Sequence, residues 1–315
     1  MSTQPIKNVA IVGASGRIGG AFAKALVATG THKVTCLVRE ESNGSLPEGV
    51  HAVKVNYDDE DSIINALKGQ QFLAITLSVR APDDLHAKIT TAAGKAGVAY
   101  IMPNSYGYPM DSHTNDVHGK AVLKRVEDSK NGVSSPITLS CGFWYEWSVA
   151  CGEQWFGFTI KDRKVTFFDD GKRTITVSTW DQCGRALASF LSLPESSVKE
   201  FTDLRIYSFQ VSQRDILDSL NRVLGTTDND WAITYEPVLQ RIQNGSEAFA
   251  KGEFLGYPKM LYGGVFRVDN DKSDFASTLS VANEVLGLPK ENLDEATKRA
   301  VEMVEGGWNP FPNMA

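Results

Sequence analysis

The chain has 315 residues, of which 42% are hydrophobic and 22% charged, and its formal net charge is −6. This size and apolar content indicate a folded protein of one large or two ordinary domains, and they exclude a disordered or collagen-like chain. The acidic balance argues against nucleic acid as a partner, because non-specific binding needs clustered Lys and Arg. Apolar stretches stay shorter than the roughly 20 residues of a membrane helix, so no membrane partner is expected. Scattered cysteines without a CxxC pair predict reduced thiols and a cytoplasmic protein.

In the first 145 residues, short apolar runs alternate with stretches of helical spacing. Runs of Val, Ile, Leu and Phe without polar alternation are typical of strands that are covered on both faces. Strands that alternate with helices predict an α/β fold with a doubly wound parallel sheet. The predicted strands are 9–12, 34–38, 52–55, 72–77, 99–102 and 137–141, and the predicted helices are 17–29, 59–68, 82–96 and 115–129.

The alternation ends after residue 142. A turn sequence at 169–172 predicts a hairpin between strands 165–168 and 174–177. Further on, the pattern predicts a helix at 178–191, a strand at 204–211, a helix at 213–224 and two helices within 273–306. We therefore predict a first domain over residues 1–150 and a smaller one over 151–315, with segments near 178–191 and 204–225 returning to the first domain.

The strongest single signal is a glycine-rich loop between the first strand and the first helix. Gly13, Gly16 and Gly19 stand in GxxGxxG spacing directly after the strand at 9–12. Glycines in this position permit a tight turn and a close backbone approach to a pyrophosphate, and the helix start supplies free N–H groups. The order strand, glycine loop, helix predicts a dinucleotide site in a Rossmann-type sheet.

The end of the second predicted strand bears on which dinucleotide binds. NAD-binding folds usually place an acid there to bond the ribose 2′-hydroxyl, whereas this chain has Arg39. A guanidinium can hold a 2′-phosphate through its planar fork, and Arg17 in the glycine loop can reach the same phosphate. Glu40 is the argument for NAD, but as the adjacent residue it is expected to point elsewhere. The pattern favours NADP(H).

Several motifs together resemble a known family. They are VGASGRIGG at 12–20, LVR at 37–39, PNSYG at 103–107, a helix with Lys and Arg at 120–125, GFWYEW at 142–147 and LGLP ending at Pro289. The chain resembles the NmrA-like/isoflavone-reductase-like group of atypical short-chain dehydrogenases, of the fungal type. Two departures bear on the substrate pocket: Ser105 stands where the plant reductases have Glu, and the gap between Gly107 and Lys120 is short.

The resemblance implies roles for individual residues. It implies a pyrophosphate site at Gly13, Ser15, Gly16, Arg17, Ile18 and Gly19, a 2′-phosphate contact at Arg39, an adenine contact at Tyr57 or Asp58, a nicotinamide-ribose contact at Ser78, a nicotinamide-side contact and proton transfer at Lys120, and a nicotinamide-ring contact at Gly142 and Phe143.

The Tyr-x-x-x-Lys pair of the main short-chain dehydrogenases is absent, because none of the nine tyrosines has lysine four residues later. Lys120 is then the first candidate for the proton donor, since a nearby cationic nicotinamide would lower its pKa. The alternative is a solvated helix lysine beside Lys124 and Arg125. His118 could replace Lys120, and Tyr106 and Tyr108 are further candidates.

Phe143, Trp144, Tyr145 and Trp147 form a dense aromatic cluster that either lines a pocket for a flat ligand or belongs to the core. Glu146 among them is either a pocket acid or an ion-pair partner. The five histidines form no HExxH pattern, so no metal site is expected.

Together these features predict an NADPH-dependent oxidoreductase that reduces a flat, largely apolar small molecule, such as an aromatic secondary metabolite. The substrate-binding candidates are Tyr106, Phe143, Trp144 and Glu146. Two alternatives stay open: an NmrA-type redox sensor without turnover, and an enzyme that retains NADP(H) but catalyses a non-redox cyclisation in which Glu146 would be the acid.

Overall fold

The structure, a computed structural model, describes residues 3–42, 44–78, 80–109 and 117–309, and gives only the backbone of residues 117 and 118. The start of the predicted helix at 115–116 and the side chain of His118 lie outside the described residues. The chain divides into two compact units, each made of several segments. Unit 1 comprises Met1–Ser140, Trp180–Ile206 and Val281–Leu288, and unit 2 comprises Cys141–Thr179, Tyr207–Ser280 and Pro289–Ala315.

The elements are numbered in chain order. The strands are β1 Asn8–Val12, β2 Lys33–Arg39, β3 His51–Val55, β4 Phe72–Ile75, β5 Tyr100–Met102, β6 Ser135–Pro136, β7 Thr138–Ser140, β8 Phe143–Trp144, β9 Phe158–Thr159, β10 Lys164–Phe168, β11 Ile175–Ser178, β12 Asp203–Arg205, β13 Phe209–Val211 and β14 Ala232–Glu236. The helices are α1 Arg17–Ala28, α2 Glu60–Leu67, α3 Leu85–Ala96, α4 Val117–Asp128, α5 Tyr145–Ala150, α6 Glu153–Phe156, α7 Trp180–Leu191, α8 Glu195–Val198, α9 Gln213–Leu224, α10 Val238–Ala250, α11 Gly256–Val265, α12 Phe275–Thr278 and α13 Leu293–Glu305.

Unit 1 is built on a six-stranded parallel sheet in the order β3-β2-β1-β4-β5-β6. Val12, at the carboxyl end of β1, lies opposite Leu37 on one side and Ile75 on the other. The strand order reverses between β1 and β4, and such a switch point opens a crevice at the carboxyl ends of the strands. The predicted Rossmann-type α/β fold is therefore confirmed.

Hydrophobic faces hold the helices of unit 1 to this sheet. Ile63 and Leu67 of α2 and Ile89 of α3 pack with inward-facing strand residues such as Val12 and Ile75 in one buried cluster. The helix α1 packs against α7, a segment far along the chain that belongs to unit 1. Residues 180–206 belong to unit 1. The expected return of the segment 178–191 to the first domain stays a prediction.

Unit 2 contains two three-stranded sheets, in the orders β14-β10-β9 and β13-β11-β8. Its helix α13 packs on α5 and α9, and α10 packs on α11. The helix α9 begins at Gln213, as the sequence predicted, and Ser212 is its N-cap, because Ser212 and Asp215 form a reciprocal capping box. The expected domain boundary at 150 falls inside unit 2, and residues 207–225, expected to return to the first domain, belong to unit 2.

The predicted hairpin is wrong. The turn exists, with Asp169 at φ 52° and Gly171 at φ 72°, but β10 and β11 enter different sheets. The Asp169 N–H donates to the carbonyl of Glu236 at the end of β14, and the Gly171 carbonyl accepts from Arg214 at the start of α9. The Asp169 N–H and the Gly171 carbonyl are therefore bonded to distant segments and not to each other's strands across the turn.

The predicted strand at 204–211 is divided in the structure, and the predicted strand at 137–141 is not the sixth strand of the large sheet. Its residues Thr138–Ser140 pair with β12 in a separate ladder, whereas residues 135–136, just before it, supply the sixth strand. The predicted strand at 204–211 splits into β12 and β13, because the Ile206 N–H donates to Ser140 and the Ser208 N–H donates to Val177. The segment thus changes its partner strand in its middle.

Within the part of the chain that the structure describes, no helix is both long and apolar enough to cross a membrane. The same residues contain no cluster of three or more His, Cys, Asp or Glu side chains that could hold a metal ion. The cytoplasmic location stays a prediction.

Candidate cofactor-binding and active site

The glycine loop of unit 1 forms a cradle that larger residues cannot occupy. Gly13 has φ +84°, and a Cβ there would lie 2.1 Å from the carbonyl oxygen of Thr76. A Cβ on Gly19 would lie 2.5 Å from the carbonyl oxygen of Gly13 and 2.5 Å from Thr76 Oγ1. The Gly16 N–H donates to the Gly13 carbonyl at 2.9 Å and closes the turn. Both Gly13 and Gly19 are therefore required by close backbone approach.

Thr76 joins the ends of the two strands that flank the switch point. Its backbone N–H and its hydroxyl both donate to the carbonyl of Val12, at 2.9 and 2.6 Å. Thr76 was not predicted from the sequence. The available signal was a hydroxyl residue directly after the buried strand β4, but its bond partner lies 64 residues earlier.

The start of α1 faces solvent with its positive dipole end uncovered. Gly16 is the N-cap and has no side chain to cap the helix, and the first turn carries no acid. Ser15, Gly16 and Arg17 are exposed, whereas Ile18 and Gly19 are buried. The first N–H groups of a helix have no partner inside it, so they can bind an anion. The cradle and this helix start therefore fit the pyrophosphate of a dinucleotide, with Ile18 and Gly19 as packing residues.

Cationic and aromatic side chains gather at the carboxyl end of β2. Arg39 is exposed there, and the Lys54 ammonium donates to the carbonyls of Glu40 and Ser42, at 2.9 Å each. The Tyr57 hydroxyl donates to the Leu37 carbonyl at 3.3 Å. Burial raises the pKa of Tyr57, and the charge of Arg39 opposes this increase. Arg39 and Tyr57, predicted from the sequence, thus lie together, and Lys54 is an addition that only the fold reveals.

The loop after β5 is fastened to the end of β4. The Tyr106 hydroxyl donates to the Ile75 carbonyl at 2.9 Å, and the Asn104 side-chain amide donates to the Leu77 carbonyl at 3.2 Å. Ser78 is exposed and its hydroxyl oxygen accepts from the Arg80 N–H. Because the phenol proton of Tyr106 is engaged by a backbone carbonyl, Tyr106 is a weaker candidate for a proton donor than its position in the sequence indicated.

Lys120 is exposed on α4. Its two basic neighbours on this helix have other partners, since Lys124 pairs with Asp128 at 2.7 Å and Arg125 donates to the Asn104 carbonyl at 3.0 Å. The segment between Pro109 and Val117 lies outside the described residues. The role of Lys120 therefore stays a prediction.

The aromatic cluster belongs to unit 2 and is not uniform. Tyr145 is fully buried and its hydroxyl is bonded to Thr297 at 2.6 Å, so this ring is part of the core. Phe143 is half-buried and stacks on Tyr262, with ring centroids 3.9 Å apart. Trp144 and Trp147 are also half-buried, and Trp147 meets Trp308 edge to face.

Glu146 of unit 2 is a buried acid with one engaged oxygen. The residue is 2% exposed, and its Oε1 accepts from Nε and Nη2 of Arg299 at 3.2 and 3.1 Å. Its Oε2 is buried and has no hydrogen-bond partner among the described residues. Desolvation raises the pKa of this carboxyl to about 7, against the lowering effect of Arg299. Glu146 is therefore an ion-pair partner that can also carry a proton near neutral pH.

The raised pKa of Glu146 predicts a pH-dependent stability. Between its ordinary pKa of 4.5 and about 7, the folded chain binds more protons than the unfolded one. This group's contribution to the free energy of unfolding is therefore fully present below pH 4.5 and is lost as pH rises through 7. We expect Glu146→Gln to gain roughly 2–4 kcal/mol relative to the parent across that range, measured by urea unfolding. Glu302→Gln, which replaces an exposed carboxyl, should show no such gain. A constant difference between Glu146→Gln and the parent at all pH values would contradict the assignment.

Residues 13–131 match the family model for NAD(P)H-binding proteins. Among solved structures, an isoflavone reductase has 16% identity and a TM-score of 0.69, with 93% of this chain and 99% of that chain covered. An NADPH-dependent quinone oxidoreductase from Escherichia coli has 16% identity and a TM-score of 0.67, with the same coverage of 93% and 99%. The Citrobacter sp. triphenylmethane reductase complexed with NADP(H) has 17% identity and a TM-score of 0.66, again with 93% and 99% covered. No curated protein matches the chain. The resemblance predicted from the sequence is thus confirmed at the level of the fold: the chain has the fold of isoflavone reductase, and residues 13–131 match the NAD(P)H-binding family model.

Proposed function

We propose that the protein is an NADPH-dependent oxidoreductase that reduces a flat, largely apolar small molecule. The observation that carries this proposal is the backbone cradle at the switch point. There the backbones of Gly13 and Gly19 lie too close to Thr76 for a side chain, and the start of α1 has no side-chain cap and no acid in its first turn. The names of the neighbouring structures support it, since two of them are a quinone oxidoreductase and a triphenylmethane reductase, both described with NADPH or NADP(H). Quinones and triphenylmethane dyes are flat, conjugated molecules.

The preference for NADP(H) rests on positive charge at the carboxyl end of β2. Arg39 is exposed at the position where an NAD-binding fold usually has an acid. The Lys54 ammonium donates to the carbonyls of Glu40 and Ser42, which come just after Arg39 in the chain. Lys54 is therefore a second cation beside the expected position of the ribose. Arg17, at the exposed start of α1, is the third cation that we assign to the 2′-phosphate, after Arg39 and Lys54. A 2′-phosphate would be favoured by this charge, and an unmodified 2′-hydroxyl would gain little from it.

Arg39→Ala tests this preference. We expect the variant to lose about tenfold to a hundredfold in affinity for NADPH, because charge-assisted hydrogen bonds contribute about 1.5–3 kcal/mol, and to change little in affinity for NADH. Calorimetry with both cofactors gives the two dissociation constants. Arg267→Ala, which removes an arginine that pairs with Asp269 in unit 2, is the control. Equal losses for NADPH and NADH would contradict the assignment of the 2′-phosphate to Arg39.

NADPH, when bound, supplies a hydride to the substrate. The chain must then orient the dinucleotide and deliver a proton. The glycine cradle and the start of α1 would hold the pyrophosphate, and Ser78, three residues after β4, would hold the nicotinamide ribose. Lys120 would deliver the proton, because its side chain is exposed on α4, whereas the Tyr106 proton is already engaged by the Ile75 carbonyl.

Substrate binding is assigned to Tyr106, Phe143, Trp144 and Glu146. The half-buried rings of Phe143 and Trp144 suit a flat apolar molecule, and the stack on Tyr262 holds Phe143 in a fixed orientation. The Glu146 Oε2, which has no hydrogen-bond partner in the part of the chain that the structure describes, suits a hydroxyl or a protonated amine on that molecule.

A second candidate function is a non-redox reaction on a retained cofactor. The observation that favours it is the buried carboxyl of Glu146, whose pKa is raised to about 7 and which can therefore serve as a general acid or base near neutral pH. In that case product would form without any consumption of NADPH.

A further inference from the structure

Two helices of unit 1 that are far apart in the sequence begin side by side. A Cβ on Gly184 of α7 would lie 2.6 Å from the carbonyl oxygen of Ala21 in α1, so the two backbones touch there. One helical turn earlier on each helix, the guanidinium carbon of Arg17 lies 5.4 Å from the ring centroid of Trp180. Ala21 lies four residues after Arg17 in α1, and Gly184 lies four residues after Trp180 in α7. Because the order of the two contacts is the same on both helices, α1 and α7 run in the same direction. The start of α7 therefore lies beside the glycine loop.

Trp180 and Arg17 differ in their exposure. Trp180 is 8% exposed and Arg17 is exposed, so a solvent-facing cation rests on a buried ring. The Trp180 Nε1 atom is buried and has no hydrogen-bond partner among the described residues. Buried tryptophans usually find a hydrogen-bond partner for this N–H, and Trp180 does so with no described residue. The contact that the structure gives Trp180 on its ring face is the one with Arg17.

We infer that Trp180 is a positioning residue, which holds the Arg17 guanidinium at the glycine loop and thereby increases the preference for the 2′-phosphate of NADPH. The inference rests on the proposed function. A guanidinium that lies over an aromatic ring still presents the N–H donors in its own plane, so the contact with Trp180 leaves Arg17 able to bind a phosphate. The ring restricts the flexible arginine before the cofactor arrives, which reduces the entropy lost on binding. The close approach of Gly184 to Ala21 sets the distance between α1 and α7, and it therefore also fixes the position of the Trp180 ring relative to α1.

The test is a double-mutant cycle on cofactor binding. Trp180→Leu should weaken NADPH binding by about threefold to thirtyfold, the range of a cation–π contact, and should leave NADH binding nearly unchanged. Trp180→Phe keeps an aromatic face without the indole N–H, and it should retain most of the NADPH affinity. In the Arg17→Ala background, Trp180→Leu should have no further effect on the ratio of the two affinities. Calorimetry measures the affinities, and urea unfolding checks that each variant is folded.

Several outcomes would overturn the inference. Equal losses of NADPH and NADH affinity in Trp180→Leu would make Trp180 a packing residue, as would a full effect of Trp180→Leu in the Arg17→Ala background. If Trp180→Leu does not fold, the cycle is run with Trp180→Met, which also lacks an aromatic face, and a loss of NADPH affinity in it that is independent of Arg17 overturns the inference. Failure of the proposed function can be told apart from failure of the inference about Trp180, because a parent chain without NADPH affinity overturns both proposals. A parent that prefers NADPH but keeps this preference in Arg17→Ala overturns only the inference about Trp180.

Discussion

Gly16→Val should abolish dinucleotide binding and leave the fold intact. Gly16 has φ −80° and ψ 171°, a conformation that valine adopts readily, and a Cβ there would lie 3.2 Å from the carbonyl oxygen of Gly13, so a small shift accommodates it. The branched side chain would then cover the exposed start of α1, where the N–H groups meet the pyrophosphate. Loss of two charge-assisted hydrogen bonds of about 1.5–3 kcal/mol each lowers the affinity by at least about a hundredfold.

Calorimetry with NADPH measures this loss, and circular dichroism reports the fold. The matched control is Gly264→Val in α11 of unit 2, where a Cβ would have no atom within 4 Å. We expect the control to bind NADPH as the parent does. NADPH affinity retained in Gly16→Val would mean that the phosphates lie elsewhere in the molecule.

Lys120→Met should slow reduction by about 10²–10⁴ while NADPH affinity changes little, because general acid catalysis is typically worth that much in rate. Methionine keeps the length of the side chain and the propensity for helix, and it removes only the ammonium. In the parent, the pH profile of the rate should require a group that stays protonated. Steady-state rates and calorimetry on the same preparations separate turnover from cofactor binding.

Lys124→Met is the control for Lys120→Met. It removes a lysine one turn further along α4, where the ammonium pairs with Asp128, and this variant should oxidise NADPH at the parent rate. If Lys120→Met also turns over at the parent rate, Lys120 is a solvated helix residue and the proton comes from water or another side chain.

The first half of the fold was predictable because each element there has a local signature. The strand β1 is an uninterrupted apolar run, and α2 begins at Asp59, whose side chain accepts from the Asp61 N–H. Residues 204–211 were predicted as one strand because apolar side chains recur along the whole segment, yet the N–H groups of Ile206 and Ser208 donate to two different partner segments. Such a change of partner depends on residues more than 30 positions away, and the local pattern does not contain it.

The candidate site divides in the same way. Gly13, Gly16 and Gly19 are visible in the sequence because their spacing is set by one turn of the backbone. Thr76, Lys54 and Trp180 act through partners on other elements, namely Val12, the end of β2 and Arg17. Thr76 has only the weak signal of a hydroxyl residue after a buried strand, and no neighbouring sequence pattern identifies Lys54 or Trp180. Their roles follow only from the register of the sheet and the packing of α7 on α1.

The most direct test of the proposed function is turnover by the parent chain. The protein is mixed with NADPH or NADH and a panel of quinones and triphenylmethane compounds, while nicotinamide absorbance and product mass are followed together. We predict that NADPH is consumed in step with a product that has gained two hydrogens, and that NADH serves poorly. NADPH that binds but is consumed with no member of the panel would contradict the reductase and favour the redox sensor, and product formed without cofactor consumption would favour the non-redox enzyme.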